Sequence, residues 1–276
     1  MRQISPRQWF ASLLIALPIA YVWLFLPLLR CQVVGVNPAF RAGSTQLARV
    51  FVSHDTPVGQ EQQLLKNLKQ ADNRLKTFWL VHRADRRQGR ATIIYCHTDE
   101  QYGRYCGGGE SSAGCSLGTP WGQSFLVVGR QGSTADVLAH ELCHDELLAR
   151  LGWWRVQRQV PQWFNEGLAL MVDYRFTNPT PDSLKRATDY ADEWAFQHLD
   201  GQPTITLTEL STVRDFFGGD FHRTMQAYML SATEVSRWLA VAGRPGVQAL
   251  VTTLSNGQDF EAEYRRLGKR KTRPFR

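Results

Sequence analysis

Two histidines four residues apart, His140 and His144, enclose Glu141 in the run His140-Glu141-Leu142-Cys143-His144. A helix turns once per 3.6 residues, so both imidazoles leave the same face and can share one metal ion. The intervening carboxylate can then reach a water on that metal as a general base, and Zn²⁺ is the ion this donor set expects. Downstream, Trp163-Phe164-Asn165-Glu166-Gly167-Leu168-Ala169 offers a third ligand, Glu166, on a second helix. An H-x-x-x-H pair alone is common on amphipathic helices that bind nothing. Two histidines, a later carboxylate and an open position for water make a catalytic arrangement, whereas a structural zinc site is closed and usually built from cysteines.

The elements that must hold these residues are legible around them. Gly132-Ser133-Thr134-Ala135-Asp136 places a serine three residues before an acid, a capping box that starts the motif helix. Val137, Leu138, Leu142, Leu147, Leu148 and Leu151 form its core stripe, Arg150 lies in its last turn and Gly152 stops it. The second helix is expected from Trp163 to Tyr174. Asp173, seven residues after Glu166, returns to nearly the same face and can hydrogen-bond a metal-bound histidine from behind.

Together the two motifs resemble the gluzincin metallopeptidases, in particular their M1-aminopeptidase-like branch and its small bacterial relatives. The resemblance covers roughly residues 92–268, strongly at the two motifs and weakly elsewhere. It implies His140, His144 and Glu166 as zinc ligands, Glu141 as the base that activates water, and Asp173 as the supporting acid. It also implies that Tyr228, in Gln226-Ala227-Tyr228-Met229-Leu230-Ser231-Ala232, steadies the oxyanion. The true aminopeptidases carry a G-x-M-E-N segment that receives the substrate amine, and nothing between Gly103 and Gly132 matches it. The expectation is therefore an endopeptidase that hydrolyses peptide bonds with one zinc per chain. The alternatives are a membrane-anchored interaction or assembly protein that keeps its zinc and cleaves nothing, and a hydrolase for a non-peptide amide such as a cell-wall component.

The expected fold class is α+β. A zincin-like catalytic domain (37–268) follows an N-terminal membrane anchor (1–36) and precedes a basic tail (269–276). Within the domain, 37–174 would hold a small mixed sheet and the motif helix, and 175–268 a mainly helical subdomain. Helices are expected over Gln60–Leu80, Leu184–Leu199, Phe221–Val241, Val247–Leu254 and Phe260–Leu267, with Thr206-Leu207-Thr208-Glu209 starting a further one. Ala91–Tyr95 and Ser124–Gly129 read as strands, the second just before the motif helix; the resemblance to the zincin fold implies that a strand near the site forms the cleft's edge, where an extended peptide can add. Pro38–Gln60 reads as a linker or an irregular first strand over Ala48–Val52.

The chain has 276 residues and a formal net charge of +7, carried mainly by scattered arginines, which fits a solvated basic surface better than a polyanion site. No nucleic-acid-binding module is visible. Trp9–Leu29 carries no charge over about 21 residues, which at 1.5 Å each spans roughly 30 Å, the thickness of a bilayer core. A signal anchor fits this length better than a cleaved leader, with the catalytic domain in the periplasm of a bacterial inner membrane. Cys96, Cys106, Cys115 and Cys143 lack the paired C-x-x-C spacing of a zinc ribbon and are disulfide candidates. Cys106–Cys115 is the favoured pair because it closes the Gly107-Gly108-Gly109 loop. Cys143 has the further reading of a buried thiol packed against the sheet.

Overall fold

Parallel strands buried on both faces read as continuous apolar runs, and Thr92-Ile93-Ile94-Tyr95 is such a run, buried at every position. It is the centre of the fold. The computed structural model describes residues 26–43, 45, 47–82, 85–106, 113–197 and 204–269. It is an α+β structure whose five strands are β1 (Phe40–Ala42), β2 (Arg49–Ser53), β3 (Thr92–Tyr95), β4 (Gly114–Gly118) and β5 (Ser124–Val128), in the order β1-β2-β3-β5-β4. The inner pairs β2/β3 and β3/β5 are parallel, and the outer pairs β1/β2 and β5/β4 are antiparallel. The sheet is thus mixed, as expected; Pro38–Gln60 holds the strand expected over Ala48–Val52, as β2, and a second, β1, that was not expected. The cleft-side edge is β4, and the Ser124–Gly129 segment lies inside the sheet as β5.

Besides the helical residues 26–32 and two short 3₁₀ turns, nine helical elements among the described residues cover this sheet or extend from it: α1 (Val58–Phe78), α2 (Asp99–Cys106), α3 (Ala135–Leu151), α4 (Trp153–Gln159), α5 (Gln162–Leu170), α6 (Ser183–Gln197), α7 (Val213–Phe217), α8 (Phe221–Ser255) and α9 (Phe260–Gly268). Ile93, Tyr95, Leu126 and Val128 point into a core shared with Leu68 of α1, Leu142 of α3, Leu168 of α5 and Trp238 of α8. Their alternate neighbours Ile94, Cys96 and Val127 point the other way, into a smaller core with Cys31, Val34 and Tyr105.

Several boundaries differ from the sequence expectation. The cap of α3 is Thr134, whose hydroxyl accepts from the Val137 amide, while the Ser133 hydroxyl donates to the Arg130 carbonyl instead. Gly152 (φ +79°) ends α3 as expected, its amide donating to the Leu148 carbonyl. The helix α5 stops at Leu170, not Tyr174. The buried Arg186 guanidinium donates to the carbonyls of Leu170 and Met171 at 2.6 and 2.9 Å, and the Tyr190 hydroxyl donates to Leu170. Those carbonyls therefore need no further helical turn. The segments Phe221–Val241 and Val247–Leu254 are two helices, as expected; they meet at a kink at Gly243 (φ +66°), just before Pro245, and are numbered together as α8. Thr206 and Glu209 do form a reciprocal cap, but over a single 3₁₀ turn, Leu207–Leu210.

One disulfide joins Cys106 at the end of α2 to Cys115 on β4. Cys96 and Cys143 are buried free thiols, as is Cys31. Cys143 is buried in the core that holds Ile93, Tyr95, Leu126 and Val128 of the sheet, and its Sγ also meets the Leu168 carbonyl of α5. The expected anchor, residues 9–29, falls mainly in 1–25, outside the described residues. Among the described residues no helix is long and apolar enough to cross a membrane. The basic tail, from Lys269 onward, is likewise outside them except for its first residue.

Gly167 lets α5 lie directly on α8: a Cβ there would sit 2.6 Å from the Ser231 carbonyl oxygen and 2.7 Å from Val235 Cγ2. Gly167→Ala is expected to cost about 1–3 kcal/mol by forcing the two helices apart. A urea midpoint equal to wild type would contradict that close packing. Peptide mapping without reductant is expected to find Cys106 linked to Cys115, with Cys31, Cys96 and Cys143 alkylated after unfolding.

Candidate metal centre

On α3, His140, Glu141 and His144 fall on the same side of the helix as Val137 and Leu148, and all three line a cavity of about 510 Å³ between the sheet edge and the helical layer. Glu166 reaches the same cavity from α5. Its Oε2 lies 3.1 Å from His140 Nε2 and 3.6 Å from His144 Nε2. One donor atom from each of the three residues falls within 4.8 Å of the others, so His140, His144 and Glu166 form a cluster that can hold a metal ion. Two imidazole nitrogens and one carboxylate oxygen are a donor set that divalent zinc accepts.

The remaining ring nitrogens are held from behind. Asn165 Oδ1 accepts from His144 Nδ1 at 2.9 Å, which leaves Nε2 of that ring free to face the cluster. Asp173 Oδ2 lies 3.3 Å from His140 Nδ1, close enough for an ion pair, at an angle that makes a poor hydrogen bond. The carboxylate of Asp173 is fully buried and is gripped by the Arg175 guanidinium, whose Nη2 donates at 2.6 Å. Glu166 Oε1 accepts from the Gln162 amide at 2.6 Å.

The sequence expectation placed Asp173 two turns along the Glu166 helix. The structure brings it to the same histidine by another route, from the chain that turns back after α5 ends. Asp136 fixes that turn, accepting from the Tyr174 amide at 3.2 Å and from Arg74 Nη1 at 2.5 Å. This N-terminal acid of α3 ties the returning chain to the motif helix rather than completing a capping box.

Burial disfavours charge on every group here, and the neighbours decide the outcome. Desolvation pulls His140 down, but the adjacent carboxylates of Asp173 and Glu166 prevail and raise it to about 10. Burial likewise pulls His144 down, and Glu166 carries it above the usual histidine value. The same pairings hold the carboxyls of Glu166 and Asp173 well below the usual range against the opposing effect of burial. A divalent cation held by the cluster can balance the same carboxylates.

Tyr228 of α8 also lines the cavity, its ring 6.1 Å from that of His140 and 5.1 Å from Phe216. Burial, and then the charges of Glu166 and Glu141, push its hydroxyl well above the normal tyrosine value, so it stays protonated. Glu141 meets an unexpected partner: Ser116 of β4 donates its hydroxyl to Glu141 Oε2 at 2.6 Å. Ser116, Asn165 and Gln162 escaped the sequence reading. The cue for the first was Gly114-x-Ser116-x-Gly118, small residues at a strand's period of two. A Cβ on Gly114 would lie 3.2 Å from Glu141 Cγ, and one on Gly118 3.0 Å from Leu148 Cδ2.

A scan of the sequence against protein-family models gives no match, and neither does a comparison with curated proteins.

Metal analysis of the purified protein is expected to find one bound divalent ion per chain, lost in Glu166→Ala. Asp173→Ala and Asn165→Leu are expected to weaken metal binding on the order of 10- to 100-fold, the usual cost of losing a group that orients a ligand. Equal affinity in all four proteins would remove the cluster as the binding site.

Proposed function

We propose that this chain is a zinc-dependent peptidase of the gluzincin type, acting within polypeptides rather than at their ends. The observation that carries the reading is the convergence of His140, His144 and Glu166 with the carboxylate of Glu141 in one cavity. A zinc-only structural site has no use for Glu141, and its placement beside the ligand cluster is the arrangement hydrolysis needs.

His140, His144 and Glu166 hold the ion, which when bound supplies a Lewis acid and brings its water's pKa toward neutrality. Glu141 accepts the proton of the attacking water and hands it to the leaving nitrogen. Tyr228, kept protonated by its buried position, donates a hydrogen bond to the developing oxyanion. Asp173 and Asn165 hold the histidine rings, so neither ring must reorient during reaction. The strand β4 ends the sheet and borders the cavity, so its free edge can pair with an extended substrate.

The uncharged run at 9–29 supports a membrane anchor, and the Cys106–Cys115 disulfide supports an oxidising compartment such as the periplasm. In the test, Glu141→Gln is expected to keep its zinc and lose on the order of 10²- to 10⁴-fold in hydrolysis of an unfolded protein substrate. His144→Ala loses both zinc and turnover. Full activity in zinc-loaded Glu141→Gln would sink the general-base assignment. Zinc without turnover in wild type would leave a metal-binding assembly protein.

A further inference from the structure

Glu141 is enclosed on one side by the edge strand β4. The residues of that strand facing α3 are Gly114, Ser116 and Gly118, and they lie along one side of the helix beside Val137, Glu141 and Leu148. Two glycines allow the strand's backbone to approach; the residue between them carries the one polar side chain on that face. Its hydroxyl donates to Glu141 Oε2 at 2.6 Å and also lies 3.4 Å from the Glu141 carbonyl oxygen. Among the described residues Glu141 Oε1 accepts no hydrogen bond. Ser116 thus occupies one carboxylate oxygen and leaves the other as the open acceptor. The strand itself is fixed on both flanks: Cys115 is bonded to Cys106 of α2, and Ser116 pairs with Leu126 of β5.

We propose that Ser116 is a positioning residue for Glu141, selecting the carboxylate orientation in which Oε1 receives the proton. This rests on the peptidase reading above. A glutamate side chain has three rotatable bonds, and a hydrogen bond to its charged end is strong enough to favour one orientation. Among the described residues the Ser116 hydroxyl makes its hydrogen bonds to Glu141 alone, so its effect passes through that residue.

The experiment compares wild type, Ser116→Ala and Ser116→Thr as full-length zinc-loaded proteins. Ser116→Ala is expected to lower kcat about tenfold, the equivalent of one hydrogen bond to a charged group. KM, zinc content and melting temperature stay at wild-type values, and Ser116→Thr, which keeps the hydroxyl, restores kcat. Crystal structures supply a readout that needs no turnover: Glu141 occupies one orientation in wild type and more than one in Ser116→Ala. An unchanged kcat, or an unmoved Glu141, overturns the assignment. So does a fall in kcat that tracks lost zinc or lost stability, because Ser116 would then be a packing residue. A wild type that binds zinc and cleaves nothing removes the peptidase reading instead, and the crystallographic comparison alone then decides whether Ser116 orders Glu141.

Discussion

A carboxylate taken out of water must find a positive partner, and this structure takes two carboxylates into its interior beside the same imidazole. Glu166 and Asp173 approach opposite nitrogens of His140, at 3.1 and 3.3 Å, and all three side chains are almost completely shielded. Left unpaired, any one of them would carry a desolvation cost of several kcal/mol. The pairing is therefore obligatory, and it dictates where α3, α5 and the chain after α5 must lie. The backbone meets that demand with specific devices: Gly167 brings α5 onto α8, Arg186 ends α5 early, and Asp136 pulls the returning chain against α3.

The same constraint explains why the cluster suits a cation. The cluster gathers carboxylates that a divalent ion can balance, and its groups are already oriented by Asn165, Gln162 and Arg175. Preorganisation of this kind lowers the cost of binding, because little side-chain freedom remains to be lost. The cavity side is built differently. There β4 contributes small residues, and the Cys106–Cys115 bond holds its flank to α2. One wall of the site is thus a fixed helix pair and the other a disulfide-braced sheet edge.

How far the sequence can be read varies with the physics involved. The helix carrying His140 and His144 was legible because its stripe, its stop at Gly152 and its ligand spacing are all local. Its start was misjudged by one residue, since Ser133 and Thr134 are equally good caps and only the geometry of the preceding turn selects Thr134. The end of α5 was missed by four residues because its stop signal, Arg186, lies sixteen positions beyond Leu170. The strand at Gly114–Gly118 carries no apolar alternation on its α3 face, so a pattern search passes over it. Its stability comes from pairing with β5 and from the disulfide.

Residue types and local spacing determined that two histidines share a helical face, that Glu141 stands between them, and that a mixed fold surrounds a motif helix. The same local evidence singled out Cys106 and Cys115 as a pair. Tertiary structure decided which carboxylate reaches which nitrogen, where Asp173 approaches from, and that Ser116 meets Glu141. The division follows from distance along the chain. Helical periodicity acts over a few residues, whereas satisfying a buried charge recruits whatever partner the packing of remote segments brings within about 3 Å.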